Sequence, residues 1–69
     1  MKISARNSLK GTVKAVHEGA VNTEVVIEVA PGVEVVSIIS KASAEALEIA
    51  EGKEAYAVIK ASNVILAVD

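Results

Sequence analysis

Two short polar clusters, Ser4-Ala5-Arg6-Asn7 and Lys60-Ala61-Ser62-Asn63, stand near opposite ends of a 69-residue chain. Each sets a hydroxyl, a cation and a carboxamide within four residues, beside apolar, β-branched sequence. Such a set suits a small anion with several oxygens. A fixed charge attracts it, hydroxyls donate hydrogen bonds, and small neighbours leave backbone N–H groups open. Either cluster alone reads more simply as strand-end punctuation, with Ser and Asn at turns and Arg or Lys in solvent. The two together, among only seven Lys and Arg residues, make the anion site an equally good reading.

Other chemistries fare worse. General acid–base work needs facing carboxylates, or a histidine beside one, in a cleft. Glu24, Glu28, Glu34, Glu45, Glu48, Glu51 and Glu54 fall instead at solvent-type positions of strands, helix or turns. The single histidine, His17, reads as a surface or interface residue beside Glu18. The chain has no cysteine, hence no disulfide framework and no thiolate metal site. There is no nucleophile elbow and no glycine-rich phosphate loop. These absences argue against an enzyme and against a metal ligated directly by side chains.

The partner classes narrow in the same way. A net charge of −2, with Tyr56 as the only aromatic residue, offers neither the basic groove nor the stacking platforms that single-stranded nucleic acid requires. No apolar run approaches the ~20 residues of a membrane span. Met1-Lys2-Ile3-Ser4 does not read as a secretory signal. The expectation is a cytoplasmic protein without nucleic-acid or membrane partners.

These clusters need elements to position them. The chain is 52% hydrophobic, almost entirely Val, Ile, Ala and Leu, a composition that favours strands. Residues 1–69 read as one domain. A domain of this size buries only about 60% of its unfolded surface. So much aliphatic side chain therefore points to a homo-oligomer with core-like interfaces.

Along the chain, Lys2–Asn7 reads as the start of a strand that resumes over Leu9–His17. In that strand Leu9, Gly11, Val13, Ala15 and His17 share one face, and Gly11 marks a bulge or close backbone approach. Glu18-Gly19 is a turn, and Val21–Val29 is a second, alternating strand. Ala30-Pro31-Gly32 has the type II turn order, and Val33–Ser40 closes the hairpin. Lys41–Ile49 is rich in helix formers, with Ser40 or Ser43 as cap, and Gly52 ends this segment. Glu54–Lys60 and Val64–Val68 supply two further strands. Three strands, a helix and two strands is the order of an OB-like five-stranded β-barrel, all-β with one short helix.

The opening Met1-Lys2-Ile3-Ser4-Ala5-Arg6-Asn7-Ser8-Leu9-Lys10-Gly11-Thr12-Val13 resembles the "SARNxLxGxV" start of the molbindins, small Mop-type molybdate-binding proteins. Ser37-Ile38-Ile39-Ser40, followed by Ser43-Ala44-Glu45-Ala46-Leu47, is similar to the family's "sIIS…SvEeL". Val58-Ile59-Lys60-Ala61-Ser62-Asn63-Val64 is similar to its "xxKAtxV" close. The resemblance spans essentially the whole chain. Ser8, Pro31 and Ala50-Glu51-Gly52 depart from the pattern, none of them at a residue the resemblance assigns to the oxyanion.

The resemblance implies an OB-like (TOBE) domain and a hexamer arranged as a trimer of dimers. It implies molybdate or tungstate bound non-covalently between subunits, for molybdenum storage or homeostasis. The family's oxyanion-binding positions map onto Ser4, Ala5, Arg6, Ser40, Lys60, Ala61 and Ser62. A second class of site near the threefold axis maps onto the Gly19-Ala20-Val21 turn. Molybdate has four oxygens and two charges, which one Arg and one Lys balance. An OB-type nucleic-acid-binding module and a protein-interaction module are the competing readings.

Overall fold

A computed structural model describes residues 1–69. The elements are β1 (Asn7–Glu18), β2 (Asn22–Ala30), β3 (Val33–Ser40), α1 (Lys41–Ala46) and β4 (Glu54–Ile59), followed by a 3₁₀ turn at Ala61–Asn63. They form one antiparallel sheet in the order β3-β2-β1-β4. β3 and β4 are thus its two edges. Yet Val35, Val36 and Ile38 of β3 line the same apolar groove as Tyr56, Val58 and Ile59 of β4. The sheet has curled until its edges face each other across a gap, as a half-barrel.

β2 shows the alternation most clearly: Thr23, Val25 and Ile27 are buried, whereas Asn22 and Glu24 are exposed. With Val13 and Ala57 they are the buried residues of the chain, and Val16, Val29, Val35, Ile39, Ile49 and Ala55 pack against them. Strict alternation places Val16 outward in β1, but the β1–β2 register slips between Val13 and Ala15. The extra residue, Lys14, is a bulge. It shifts the phase by one, so Val13 and Val16 both face the core. Gly11 makes the close approach its type suggested. A Cβ there would lie 2.5 Å from the Glu28 carbonyl oxygen and 2.8 Å from Ile27 Cγ2.

The β2–β3 turn also follows its sequence. Pro31-Gly32 is flanked by the Ala30–Val33 pair, and Gly32 has φ +74°, as the third position of a type II turn demands. Ser40 caps α1: its Oγ accepts from the Ser43 N–H at 3.0 Å.

The helix ends at Ala46, short of the expected Ile49, because Glu48 takes φ 55°. The Glu48 N–H then donates to the Glu45 carbonyl and the Ile49 N–H to the Ala44 carbonyl, each at 3.0 Å. This pair of bonds is a Schellman motif with glutamate where glycine is usual. It turns Ile49 into the core. Gly52, with φ +87°, redirects the chain into β4, and its N–H donates to the Val13 carbonyl at 2.9 Å.

Two expectations are corrected. Residues 2–6 lie outside the sheet, and β1 begins only at Asn7. The sheet has four strands rather than five, because Val64–Val68 joins no strand of its own chain. Ile65, Leu66 and Val68 are 92%, 87% and 97% exposed. The segment pairs with neither β3 nor β4, the two edges of its own sheet.

The surface is correspondingly large. The chain exposes 5400 Å², against about 4100 Å² for a compact monomer of 7.1 kDa. Its radius of gyration, 12.6 Å, likewise exceeds the ~11 Å of a compact 69-residue domain.

Candidate functional site

The β1–β4 ladder decides where the polar clusters go. Its last pair is Asn7 with Ile59, and Asn7 Nδ2 donates to the Ile59 carbonyl oxygen at 3.2 Å. Arg6 and Lys60 are the next residues on each side of that pair. The two clusters, remote in sequence, therefore meet within one chain. Ser4, Ala5, Arg6, Lys60, Ala61 and Ser62 line a single open groove, floored by Ile3 and Val58.

The electrostatics of the groove are distinctive. Lys10 pairs with Glu54 at 3.3 Å, Lys14 with Glu34 at 2.6 Å and Glu28 at 3.6 Å, and Lys53 with Glu48 at 3.7 Å. A hydrogen bond from Lys14 to Glu34, and then the charges of Glu34 and Glu28, hold the Lys14 amine above its ordinary pKa. These cations are already balanced. Arg6 and Lys60 have no carboxylate within ion-pair distance, so the groove carries two uncompensated positive charges.

The groove also carries unused donors. The backbone N–H groups of Ser4, Ala5, Arg6, Ala61 and Ser62 have no backbone partner in the chain. The Ser4 and Ser62 hydroxyls make no side-chain hydrogen bond. Two cations, two hydroxyls and several free N–H groups around an open concavity are the kinds of group that complement an anion rich in oxygen. By contrast, the concavity over Gly11 is edged by Lys10, Glu28 and Glu54, whose carboxylates repel an anion.

Comparison with known proteins agrees with this chemistry. The TOBE domain model matches residues 3–66. Molybdenum-pterin-binding protein 3 of Clostridium pasteurianum is 54% identical over 66 residues, 96% of this chain and 97% of its own length. The chain belongs to the TOBE family, in its Mop-type molbindin branch.

Two solved molbindin structures share its fold. MopII from Clostridium pasteurianum superposes with a TM-score of 0.91 at 46% identity, covering 97% of this chain and 100% of that one. A molybdate-binding protein from Sporomusa ovata gives a TM-score of 0.91 at 34% identity, covering 99% and 100%. These matches establish the OB-like half-barrel as the fold this chain shares with them, and the relatives are themselves named as binding proteins.

Within this molbindin chain the remaining site residues lie elsewhere. Ser40 pairs with Asn22 across the β2–β3 ladder, and the Lys41 N–H donates to the Val21 carbonyl at 2.8 Å. Ser40 thus sits beside the Gly19-Ala20-Val21 turn, at the Glu18 end of β1. The groove is at the Asn7 end. The 12 residues of β1, at about 3.3 Å each, hold the two places on the order of 30 Å apart. The Ser40 hydroxyl is engaged as the helix cap and donates to Ser43 Oγ at 2.8 Å.

Lys41, the residue after Ser40, also lacks a carboxylate partner, so this end too has an unbalanced cation. Sequence reasoning overlooked Ile3 and Val58 as groove floor and Asn7 as the clamp that aligns the walls. Asn7 had a signal, as the carboxamide beside Arg6. Ile3 and Val58 had none, being ordinary apolar residues of strand-like sequence.

Proposed function

We propose that this chain binds molybdate, and tungstate of the same shape, as an intact tetrahedral dianion in the groove between Ser4-Ala5-Arg6 and Lys60-Ala61-Ser62. Arg6 offers a planar fork and Lys60 a compact charge, together matching the two negative charges. Ser4 and Ser62 donate through hydroxyls, Ala5 and Ala61 through backbone N–H groups. Charge-assisted hydrogen bonds contribute roughly 1.5–3 kcal/mol each, and micromolar affinity requires about 8 kcal/mol. About three to six such bonds reach that value. Binding is non-covalent and no catalytic step follows. The role is molybdenum storage or homeostasis in the cytoplasm.

The observation that carries this reading is that Arg6 and Lys60, both without a carboxylate partner, line one groove. The molybdate- and molybdenum-pterin-binding names of its relatives support the choice of anion.

The working form is a homo-oligomer, a hexamer arranged as a trimer of dimers. The excess of about 1300 Å² over a compact monomer supports association. Ser40, distant from the groove of its own chain, reaches a bound anion only from a neighbouring subunit. The Gly19-Ala20-Val21 turn lines a second class of site in the assembled particle.

Isothermal titration of anion-free protein with molybdate tests the proposal, with sulfate and phosphate as controls. Heat and a raised melting temperature with molybdate, and weaker effects with the smaller sulfate, are expected. Absence of both with molybdate rejects it. Sedimentation of the same sample tests the assembly, and a monomer at all concentrations rejects the subunit-interface arrangement.

A further inference from the structure

The donors of the anion groove all stand on its walls. Its floor, Ile3 and Val58, offers an anion no side-chain hydrogen bond. The core does not dictate this floor, since neither residue belongs to it. Val58 alternates with the buried Ala57 along β4 and is exposed, opposite Ser8 of β1. Ile3 is exposed in the segment before β1. One exposed aliphatic side chain is ordinary. Here two meet beneath a ring of polar groups that includes two unpaired cations.

Such a floor bears unequally on different oxyanions. An anion seated on it exchanges the water on that side for hydrocarbon, which returns no hydrogen bond. The cost of desolvating an ion grows as its radius falls, because the same charge is held in a smaller sphere. Sulfate is smaller than molybdate at equal charge, so it loses more on the same floor. The walls do not discriminate in this way. Arg6, Lys60 and the serine hydroxyls complement any tetrahedral dianion.

We infer that Ile3 and Val58 are specificity-determining residues, whose aliphatic floor sets a preference for larger, more weakly hydrated oxyanions over sulfate. The inference rests on the anion reading of this groove and deepens it. Affinity comes from the walls, and the difference between anions comes from the floor, which penalises the competitor instead of adding a contact to the favoured ligand.

Threonine in place of Val58 keeps the branched shape and the strand preference of valine, and adds a hydroxyl that can donate to a seated anion. The experiment titrates full-length wild type, Val58→Thr, Ile3→Thr and Ile3→Val with molybdate by calorimetry, with sulfate measured by displacement of molybdate. The molybdate-to-sulfate affinity ratio should fall by about threefold or more in each threonine variant, the worth of one added hydrogen bond, chiefly through tighter sulfate. Ile3→Val, still aliphatic, should hold the wild-type ratio. Equal affinity for the two anions in the wild type overturns the role of the floor. So do threonine variants that keep the wild-type ratio, even where both affinities drop together. Ile3 stands outside the sheet, so Ile3→Thr decides the matter if Val58→Thr fails to fold. A wild type that binds no molybdate gives a different result: it rejects the anion reading of the groove, and the floor's role with it.

Discussion

Asn7 Nδ2 donates to the carbonyl oxygen of Ile59 at 3.2 Å, between residues 52 apart in sequence. This bond lies at the end of the β1–β4 ladder, where the regular pairing stops and the two polar clusters begin. It fixes the separation of Arg6 and Lys60 without itself carrying charge. Asn7→Ala should lower stability by about 1 kcal/mol, or about 4–8 °C in melting temperature for a domain of this size. It should also weaken molybdate binding. Calorimetry of both properties checks the claim, and unchanged affinity in a destabilised variant would show that the clamp is only structural.

Arg6→Ala and Lys60→Ala each remove one of the groove's two uncompensated charges. Each should weaken molybdate by at least about tenfold, or about 1.4 kcal/mol, with little loss of stability because both side chains are exposed. Arg6→Lys should recover only part of the loss, since an ammonium cannot reproduce the planar fork. Titration calorimetry of the three variants decides; wild-type affinity in both alanine variants would place the anion elsewhere.

Gly11→Ala should cost about 1–3 kcal/mol through overpacking. The added methyl meets the Glu28 backbone carbonyl at 2.5 Å, and backbone cannot swing aside as a flexible side chain would. Chemical denaturation measures this. A neutral result would mean that β1 and β2 separate more easily than the close approach implies.

Thr23 is fully buried, and its hydroxyl has no hydrogen-bond partner. An unsatisfied buried hydroxyl costs about 1–3 kcal/mol. Thr23→Val keeps the shape and removes that cost, so it should raise the melting temperature. Thr23→Ser keeps the hydroxyl and loses a methyl, so it should lower it. The opposite order would show that the hydroxyl is satisfied after all.

Glu48 sits at φ 55°, where an L-residue is disfavoured by roughly 1–2 kcal/mol. Its ion pair with Lys53 is exposed and long, at 3.7 Å, and such pairs contribute little. Glu48→Gly should therefore stabilise the fold by up to about 1 kcal/mol, allowing for the greater freedom of unfolded glycine. Loss of stability instead would assign the Lys53 contact a larger role.

Much of this fold was legible because its signals are local. Alternating Val and Ile in β2, Pro31-Gly32 at the hairpin and Ser40 before the helix each act within a few residues, and each formed as its chemistry dictates. The misreadings arose where non-local geometry intervened. The Lys14 bulge reverses the phase of β1, because the curled partner strand sets register and a period-2 pattern cannot show a slip. Glu48 stops the helix early because turning Ile49 into the core outweighs local helix preference.

The sequence by itself determined the chemistry: two cation–hydroxyl–amide clusters, small residues beside them, no cysteine and no second histidine. Those are properties of side-chain type, independent of conformation. Only the tertiary structure decided that the clusters face one groove of a single chain, since that depends on the antiparallel register of β1 against β4. It likewise decided that Ser40 and the Gly19–Val21 turn share the opposite end, and that Val64–Val68 finds no place in its own sheet. Strand pairing is a long-range contact, and its partners are selected by the closure of the whole sheet rather than by any residue's neighbours.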